Sequence, residues 1–242
     1  MTTEPYVISV NGIDVQIIRK DIKHLHLGVY PPNGRVRVAA PLALSDDALR
    51  LAVIDRLAWI KKRQARFAAQ PRESEREMVS GESHYFLGRR YRLRVVESEG
   101  PGRVALPNRS TLELQVRHAY GAKERQQVLE RWYRQHLREL VPPLLAKWET
   151  ALGVQATSWR IKKMKTKWGA CTVEEQRVWL NLELAKKPVQ CIEYLIVHEL
   201  MHLVERHHND RFVSLMDHHL PLWRHLRDIL NEEPLGHAEW TY

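Results

Sequence analysis

The residues that most restrict what this chain can fold into are His198, Glu199 and His202, which spell H-E-x-x-H. The apolar residues around them recur at helical spacing, so the motif is predicted to lie on a helix that begins near Pro188. Two histidines four residues apart share one face of a helix and can bind one Zn²⁺. Glu199 lies beside that face, where it can reach a water molecule on the metal rather than the metal.

A third metal ligand is expected, because a catalytic zinc usually has three protein ligands and one open position. His208 follows His202 by six residues, so the chain can return from the helix end and bring it to the metal. His207 is the rival, since a rotation at the helix end would exchange the two side chains. A glutamate further along the chain is another alternative, without a sequence signal. Metzincins share the spacing but have glycine where this chain has Glu205, so the turn must be made differently.

The frequency of histidine weakens the bare motif as evidence. With 13 histidines in 242 residues, H-E-x-x-H arises by chance in roughly one chain in twenty of this length. The alternative is a set of core and surface histidines with a solvated or paired glutamate. The apolar helix, the strand predicted before it and the third histidine favour a metal site instead.

Composition limits the location and the partners of the chain. The N-terminus lacks the pattern of a signal peptide, and no apolar run approaches the roughly 18 residues of a membrane span. Cys171 and Cys191 are too few for a disulfide framework, so a cytoplasmic protein without membrane contact is expected. The formal charge of +9 favours nucleic acid, nucleotides or acidic proteins as partners, but a solvated basic surface explains it equally well.

The first part of the chain is predicted to be rich in β-strands. Apolar and polar residues alternate on both sides of Asn11-Gly12 and of Asn33-Gly34, which predicts two hairpins. Ser45 is a suitable N-cap for one long helix that follows them. The polar stretch AAQPRESEREMVSGES after this helix is predicted to be a flexible connection.

A long helical section is predicted from Lys123, with a break or kink at Pro142-Pro143 and a second helix up to Gly153. The stretches SWRIKKM and RVWLNLEL predict two strands, and helices follow them. This order predicts an α+β fold with a β-rich N-terminal region in residues 1–120 and a catalytic domain in residues 121–242. No internal repeat is evident in the sequence.

Three residues near the motif are candidates for substrate binding. Lys165 and Lys167 belong to a run of basic residues before the stretch WGAC, and in a zincin such strands flank the cleft. A polyanion could bind there, although lysines also protect a strand edge from aggregation. Asn181 interrupts an apolar strand and could bond a substrate backbone, or it could face solvent.

The segment from Lys163 to Phe212 closely resembles the YgjP-like zinc metallopeptidases, which are related to the SprT-like and WLM groups. The family pattern is K-x-R-W-G-S-C, then L-N on a strand, H-E-L-x-H-L, and N-H-x-x-x-F. These elements correspond to residues 165–171, 180–181, 198–203 and 207–212 of this chain. The chain departs from the pattern at Lys167, Ala170 and His207, which stand in place of arginine, serine and asparagine.

The resemblance implies a zincin-like metallopeptidase core with one Zn²⁺ per chain, bound by His198, His202 and His208. Glu199 would be the general base. The implied substrate is a peptide or protein. Two alternatives remain open: a nucleoside triphosphate pyrophosphatase that uses the same metal site, and a non-catalytic, zinc-stabilised module associated with nucleic acid.

Overall fold

The computed structural model describes residues 4–30, 34–69, 76–164 and 167–232. Helices and mixed sheets both make up large parts of these residues, which confirms the predicted α+β class. The chain divides into two compact units, residues 1–72 and 73–238. None of the helices in the described ranges is long and apolar enough to cross a membrane.

The first unit contains one sheet and two helices. Its elements are β1 (Tyr6–Val10), β2 (Ile13–Lys20), β3 (His26–Tyr30), β4 (Arg35–Pro41), α1 (Asp46–Ile54) and α2 (Leu57–Ala69). The sheet has the order β1-β2-β4-β3, with β2 and β4 parallel and the other pairs antiparallel. Both predicted hairpins are confirmed, while the single predicted helix is interrupted at residues 55–56. Neither of those residues is a glycine or proline, so the sequence carried no signal for the interruption.

The second unit contains two sheets and a set of helices. Its elements are β5 (Ser83–Phe86), β6 (Arg89–Glu97), β7 (Arg103–Ala105), β8 (Thr111–Val116), α3 (Ala122–Leu152), β9 (Ser158–Lys162), β10 (Gly169–Thr172), β11 (Arg177–Asn181), a 3₁₀ helix (Leu182–Lys186), α4 (Val189–Met201), α5 (Asp210–His219) and α6 (Trp223–Glu232). The sheets have the orders β5-β6-β8-β7 and β10-β11-β9. A continuous apolar core joins both sheets to α3, α4, α5 and α6.

The two four-stranded sheets repeat one topology, which the sequence did not reveal. In both, an antiparallel hairpin is followed by a parallel and then an antiparallel pair, and a helix comes next along the chain. The first hairpin of each turns through two residues with positive φ, Asn11-Gly12 and Leu87-Gly88. The same number of residues separates Asn11 from Leu87 and the start of α1 from the start of α3. Buried residues occur at this separation in the pairs Val15 and Tyr91, Ile17 and Leu93, Val36 and Leu112, Val38 and Leu114, and Ala40 and Val116.

The helix α3 continues through both of its prolines, so the predicted division into two helices is wrong. Pro142 and Pro143 have no backbone N–H, and each therefore removes a hydrogen bond from the helix. Val141 and Leu145 are buried on either side of them, and this packing holds the helix together. The helix ends at Gly153, which has φ +65°, as the sequence predicted.

The boundary between the compact units lies earlier in the chain than the predicted domain boundary near residue 120. Residues 83–116 lie in the same compact unit as the long helix and the H-E-x-x-H segment. The functional boundary near residue 120 remains a prediction. Residues 70–75 of the predicted flexible connection lie outside the described residues.

Candidate metal centre

The helix α4 places the H-E-x-x-H motif inside the second unit. Pro188 precedes its first turn, where the absent backbone N–H costs nothing. Most of the helix is buried, including the Ile196, Val197 and Leu200 side chains around the motif. His198 lies within α4, and His202 is the residue at which the helix ends. The predicted motif helix is therefore confirmed.

Three imidazoles converge at the end of α4. The Nε2 atoms of His198 and His208 lie 3.1 Å apart. One ring nitrogen from each of His198, His202 and His208 lies within 4.8 Å of the others. His207 is exposed and is not part of this cluster. The structure therefore brings together the three predicted histidines and leaves the rival outside.

The turn between α4 and α5 carries His208 back without a glycine. The His202 Nδ1 lies 3.4 Å from the Glu205 carbonyl, to which it donates when Nδ1 carries the proton. The Glu205 carboxylate accepts the backbone N–H of His207 at 3.3 Å. Asn209 then caps α5 by accepting a backbone N–H at 3.0 Å. These bonds define a turn that contains no glycine.

Phe212 forms a platform under the three imidazoles. Its ring centroid lies 5.2 Å from that of His198, 5.1 Å from that of His202 and 4.6 Å from that of His208. Phe212 is 2% exposed, and it follows His208 by one helical turn. The sequence pattern alone did not identify this contact with the ring cluster.

The donor set fits a divalent metal such as zinc. Zinc binds imidazole nitrogens at about 2.0–2.1 Å, which is compatible with nitrogens this close together. The bond from His202 Nδ1 to a carbonyl leaves Nε2 for a metal. The Nδ1 of His198 is buried and has no hydrogen-bond partner among the described residues. His198 thus has its polar contact at Nε2, on the side of the other two imidazoles, and none at Nδ1.

Burial and neighbouring rings lower the pKa values of two histidines of the cluster, His198 and His202. Burial, together with the charges of His202 and His208, lowers the pKa of His198 to about 3. Burial and the neighbouring His208 also lower the pKa of His202. Neutral imidazole is the form that binds a metal, so the site is prepared for binding at neutral pH.

Glu199 is buried against the backbone of strand β10. It is 4% exposed, and burial raises its pKa to about 8, while the charge of Lys167 acts in the opposite direction. A Cβ atom added at Gly169 would lie 2.9 Å from the Glu199 Cδ, so any larger residue there would displace this carboxyl group. The sequence analysis predicted neither β10 nor the role of Gly169. The position of this glycine between Trp168 and a short apolar run was the one indication of it.

The predicted substrate-binding residues have different positions in the structure. Lys167 is exposed, and its charge acts on Glu199. Lys165 lies outside the described residues. Asn181 is fully buried, and its side chain bonds to backbone groups rather than facing a cleft or solvent. Binding of a polyanion or substrate by the lysines remains a prediction.

Two further titratable groups lie beside the cluster. Burial, with the charges of Glu199 and Glu174, raises the pKa of the Cys171 thiol to about 11, so this cysteine is a neutral thiol at neutral pH. Burial raises the pKa of Tyr194 to about 12. The Tyr194 ring packs at 5.9 Å from that of His198 and at 6.4 Å from that of Trp223, which makes it a core residue.

Comparison with known proteins agrees with this geometry. Residues 24–233 match the family described as YgjP-like, metallopeptidase domain. None of the curated proteins matches the chain. Among solved structures, the metallopeptidase zymogen of Pyrococcus abyssi abylysin is similar at 21% identity, over 37% of this chain and 90% of that one. Its TM-score of 0.35 is too low to support any argument. The family match covers most of the described chain and includes His198, His202 and His208. The chain therefore belongs to the YgjP-like metallopeptidase family.

Proposed function

We propose that this metallopeptidase domain hydrolyses peptide bonds with one Zn²⁺ held by His198, His202 and His208. Glu199 is the general base in this proposal. The observation that carries it is the convergence of three imidazoles beside a carboxyl group that is buried against Gly169. A histidine cluster in a protein core does not require a buried glutamate of this kind, whereas hydrolysis by a metal-activated water can use one to accept the proton of that water.

The chemistry divides between the metal and the protein. A zinc ion bound by the three imidazoles would polarise the scissile carbonyl and make the attacking water more acidic. Glu199 accepts a proton from that water as the oxygen of the water bonds to the carbonyl carbon. Glu199 then returns the proton to the nitrogen as the C–N bond breaks. The products are an amine and a carboxylic acid, which keeps the second proton of the water until it ionises. Burial raises the pKa of Glu199 above its ordinary value and toward neutrality, which suits a group that must both accept and release a proton.

Strand β10 supplies a surface for an extended substrate. It pairs with β11 on one side, and no described strand pairs with its other side. Its first residue, Gly169, lies against Glu199. An extended peptide could therefore add to this edge through backbone hydrogen bonds, with the scissile bond near the general base.

The test replaces Glu199 with glutamine and measures zinc content together with hydrolysis of denatured casein. Loss of a general base lowers the rate by about 100-fold or more, while the imidazoles still bind zinc. Glu174→Gln is the matched control, because Glu174 is 65% exposed and pairs with Arg206 on the surface. It should retain wild-type turnover. Equal turnover in Glu199→Gln and the wild type would refute the mechanism.

A second assay separates the peptidase from a nucleotide hydrolase. The exposed Lys167 beside Glu199 is the observation that would favour a triphosphate substrate. Purified protein is therefore incubated with a panel of nucleoside triphosphates in parallel with casein. We expect casein cleavage. Release of pyrophosphate without proteolysis would contradict the peptidase proposal. It would show that the same base and metal hydrolyse a phosphoanhydride bond.

A further inference from the structure

The side chain of Asn181 holds both ends of the segment between β9 and β10. Its amide nitrogen donates to the carbonyls of Met164 at 2.8 Å and Lys167 at 2.7 Å. Its Oδ1 accepts the backbone N–H groups of Met164 and Glu183, each at 3.2 Å. An asparagine amide offers two donors and two acceptor lone pairs, so these bonds use its full capacity.

Backbone and side-chain contacts fix the end of the segment at Trp168. The Asn181 backbone N–H donates to the Trp168 carbonyl at 2.8 Å. The Lys187 Nζ lies 5.2 Å from the centroid of the Trp168 ring, and Lys187 is 3% exposed. Trp168 is therefore held from two directions, and Gly169 is the next residue along the chain.

The position of Gly169 limits the position of the general base. A Cβ at Gly169 would lie only 2.9 Å from the Glu199 Cδ, so strand and carboxyl group are in close contact. A shift of the strand toward Glu199 would displace the carboxyl group, and a shift away would remove its support. Misplacement of a catalytic group by about 1 Å can cost about 100-fold in rate.

We infer that Asn181 is a positioning residue for the metallopeptidase reaction. It holds the backbone of Met164 and Lys167, and thereby the place of Lys167 and Gly169 beside Glu199. This role differs from the substrate contact that the sequence suggested, because the Asn181 side chain is buried and fully bonded. The inference rests on the proposed function, since it concerns the base of that reaction.

The experiment compares Asn181→Ala and the milder Asn181→Ser, whose hydroxyl keeps one donor and an acceptor. The matched control is Asn108→Ala, because the Asn108 Oδ1 bonds Ser110 and Thr111 in a turn elsewhere in the same unit. Four quantities are measured in zinc-loaded protein: kcat, KM, zinc content, and hydrogen exchange of residues 167–172. Each Asn181 substitution is also made in the Glu199→Gln background.

Asn181→Ala should lower kcat by about tenfold or more, with a smaller loss in Asn181→Ser and none in Asn108→Ala. Zinc content should stay at the wild-type level, and exchange of residues 167–172 should become faster. In the Glu199→Gln background the same substitution should cost less than about twofold, because the base it positions is already removed. A loss caused by general instability would instead be equally large in both backgrounds.

Two results would overturn the inference and leave the proposed function intact. One is an equally large loss of kcat in the two backgrounds, and the other is unchanged exchange of residues 167–172 in both Asn181 variants. If the wild-type protein cleaves no peptide, the proposed function fails, and with it the catalytic role of Asn181. The exchange data then still decide whether Asn181 holds the segment.

Discussion

Replacing Glu199 with glutamine in metal-free protein removes an ionisable group and nearly preserves the shape of the side chain. Burial raises the pKa of Glu199 from its ordinary 4.5 to about 8, against the opposing charge of Lys167. A carboxyl group with a raised pKa in the folded state binds its proton more tightly than the unfolded chain does. Its stabilising contribution is complete below about pH 4.5 and is lost as the pH rises through about 8.

The size of this loss follows from the shift in pKa. Each unit corresponds to about 1.4 kcal/mol, so the full rise of about 3.5 units corresponds to about 5 kcal/mol. Between roughly pH 6 and pH 8, the linkage relation gives a loss of about 2 kcal/mol for this single group. The free energy of unfolding of the wild type, relative to that of Glu199→Gln, should therefore fall by about 2 kcal/mol over this interval. Titrating groups shared by both proteins, including His198 and His202, largely cancel in the comparison.

Urea unfolding of both proteins in the presence of a chelator, at roughly pH 6 and pH 8, measures this difference. Tryptophan fluorescence is a suitable signal, because most of the tryptophans lie in the unit that holds the site: Trp132, Trp148, Trp159, Trp168, Trp179 and Trp223. The control is Glu174→Gln, since it makes the same chemical change at an exposed carboxylate. The reasoning is refuted if Glu199→Gln gives the same difference from wild type at both pH values.

Three further substitutions test other parts of the site. Gly169→Ala places a Cβ against the general base and should lower kcat by about tenfold or more at unchanged zinc content. Gly100→Ala, whose Cβ meets one side-chain atom at 3.7 Å, should keep wild-type kcat, and equal kcat in both variants would contradict the packing argument. His208→Ala should lose stoichiometric zinc and the increase in Tm that zinc gives, whereas His207→Ala should keep both; the opposite result would move the ligand by one residue. Lys167→Met removes a cation that lowers the pKa of the base, so the acidic limb of log kcat against pH should move to higher pH. An unmoved limb would show that this charge does not act on the base.

Local patterns in the sequence were sufficient for much of the site. The apolar periodicity around His198 and the proline before it predict α4, because both act within one helix. The spacing from His202 to His208 predicts the return of the chain, although it does not distinguish His208 from His207. That choice depends on the turn at Glu205 and on the packing of Phe212, which are contacts within the folded structure.

Features that depend on distant contacts were not predictable in this way. Strand β10 has four residues and is defined by its pairing with β11, so its own sequence carries little signal. The burial of Asn181 follows from the segment it bonds, and its alternation within the strand suggested exposure to solvent or substrate instead.

The prolines of α3 show the reverse case, in which tertiary packing maintains a helix that local rules would break. The two sheets repeat a topology with different residues at equivalent buried positions, which hides the repeat from inspection of the sequence.

The central question is whether His198, His202 and His208 hold one zinc ion with an open fourth position. Anomalous diffraction at the zinc edge, from crystals of the zinc-loaded protein, answers it directly. We expect one peak per chain, about 2.0–2.1 Å from one ring nitrogen of each histidine, with its open side toward Glu199 and Gly169. A peak bound by His207, a fourth protein ligand that closes the site, or zinc only at other positions would contradict the proposed metal centre.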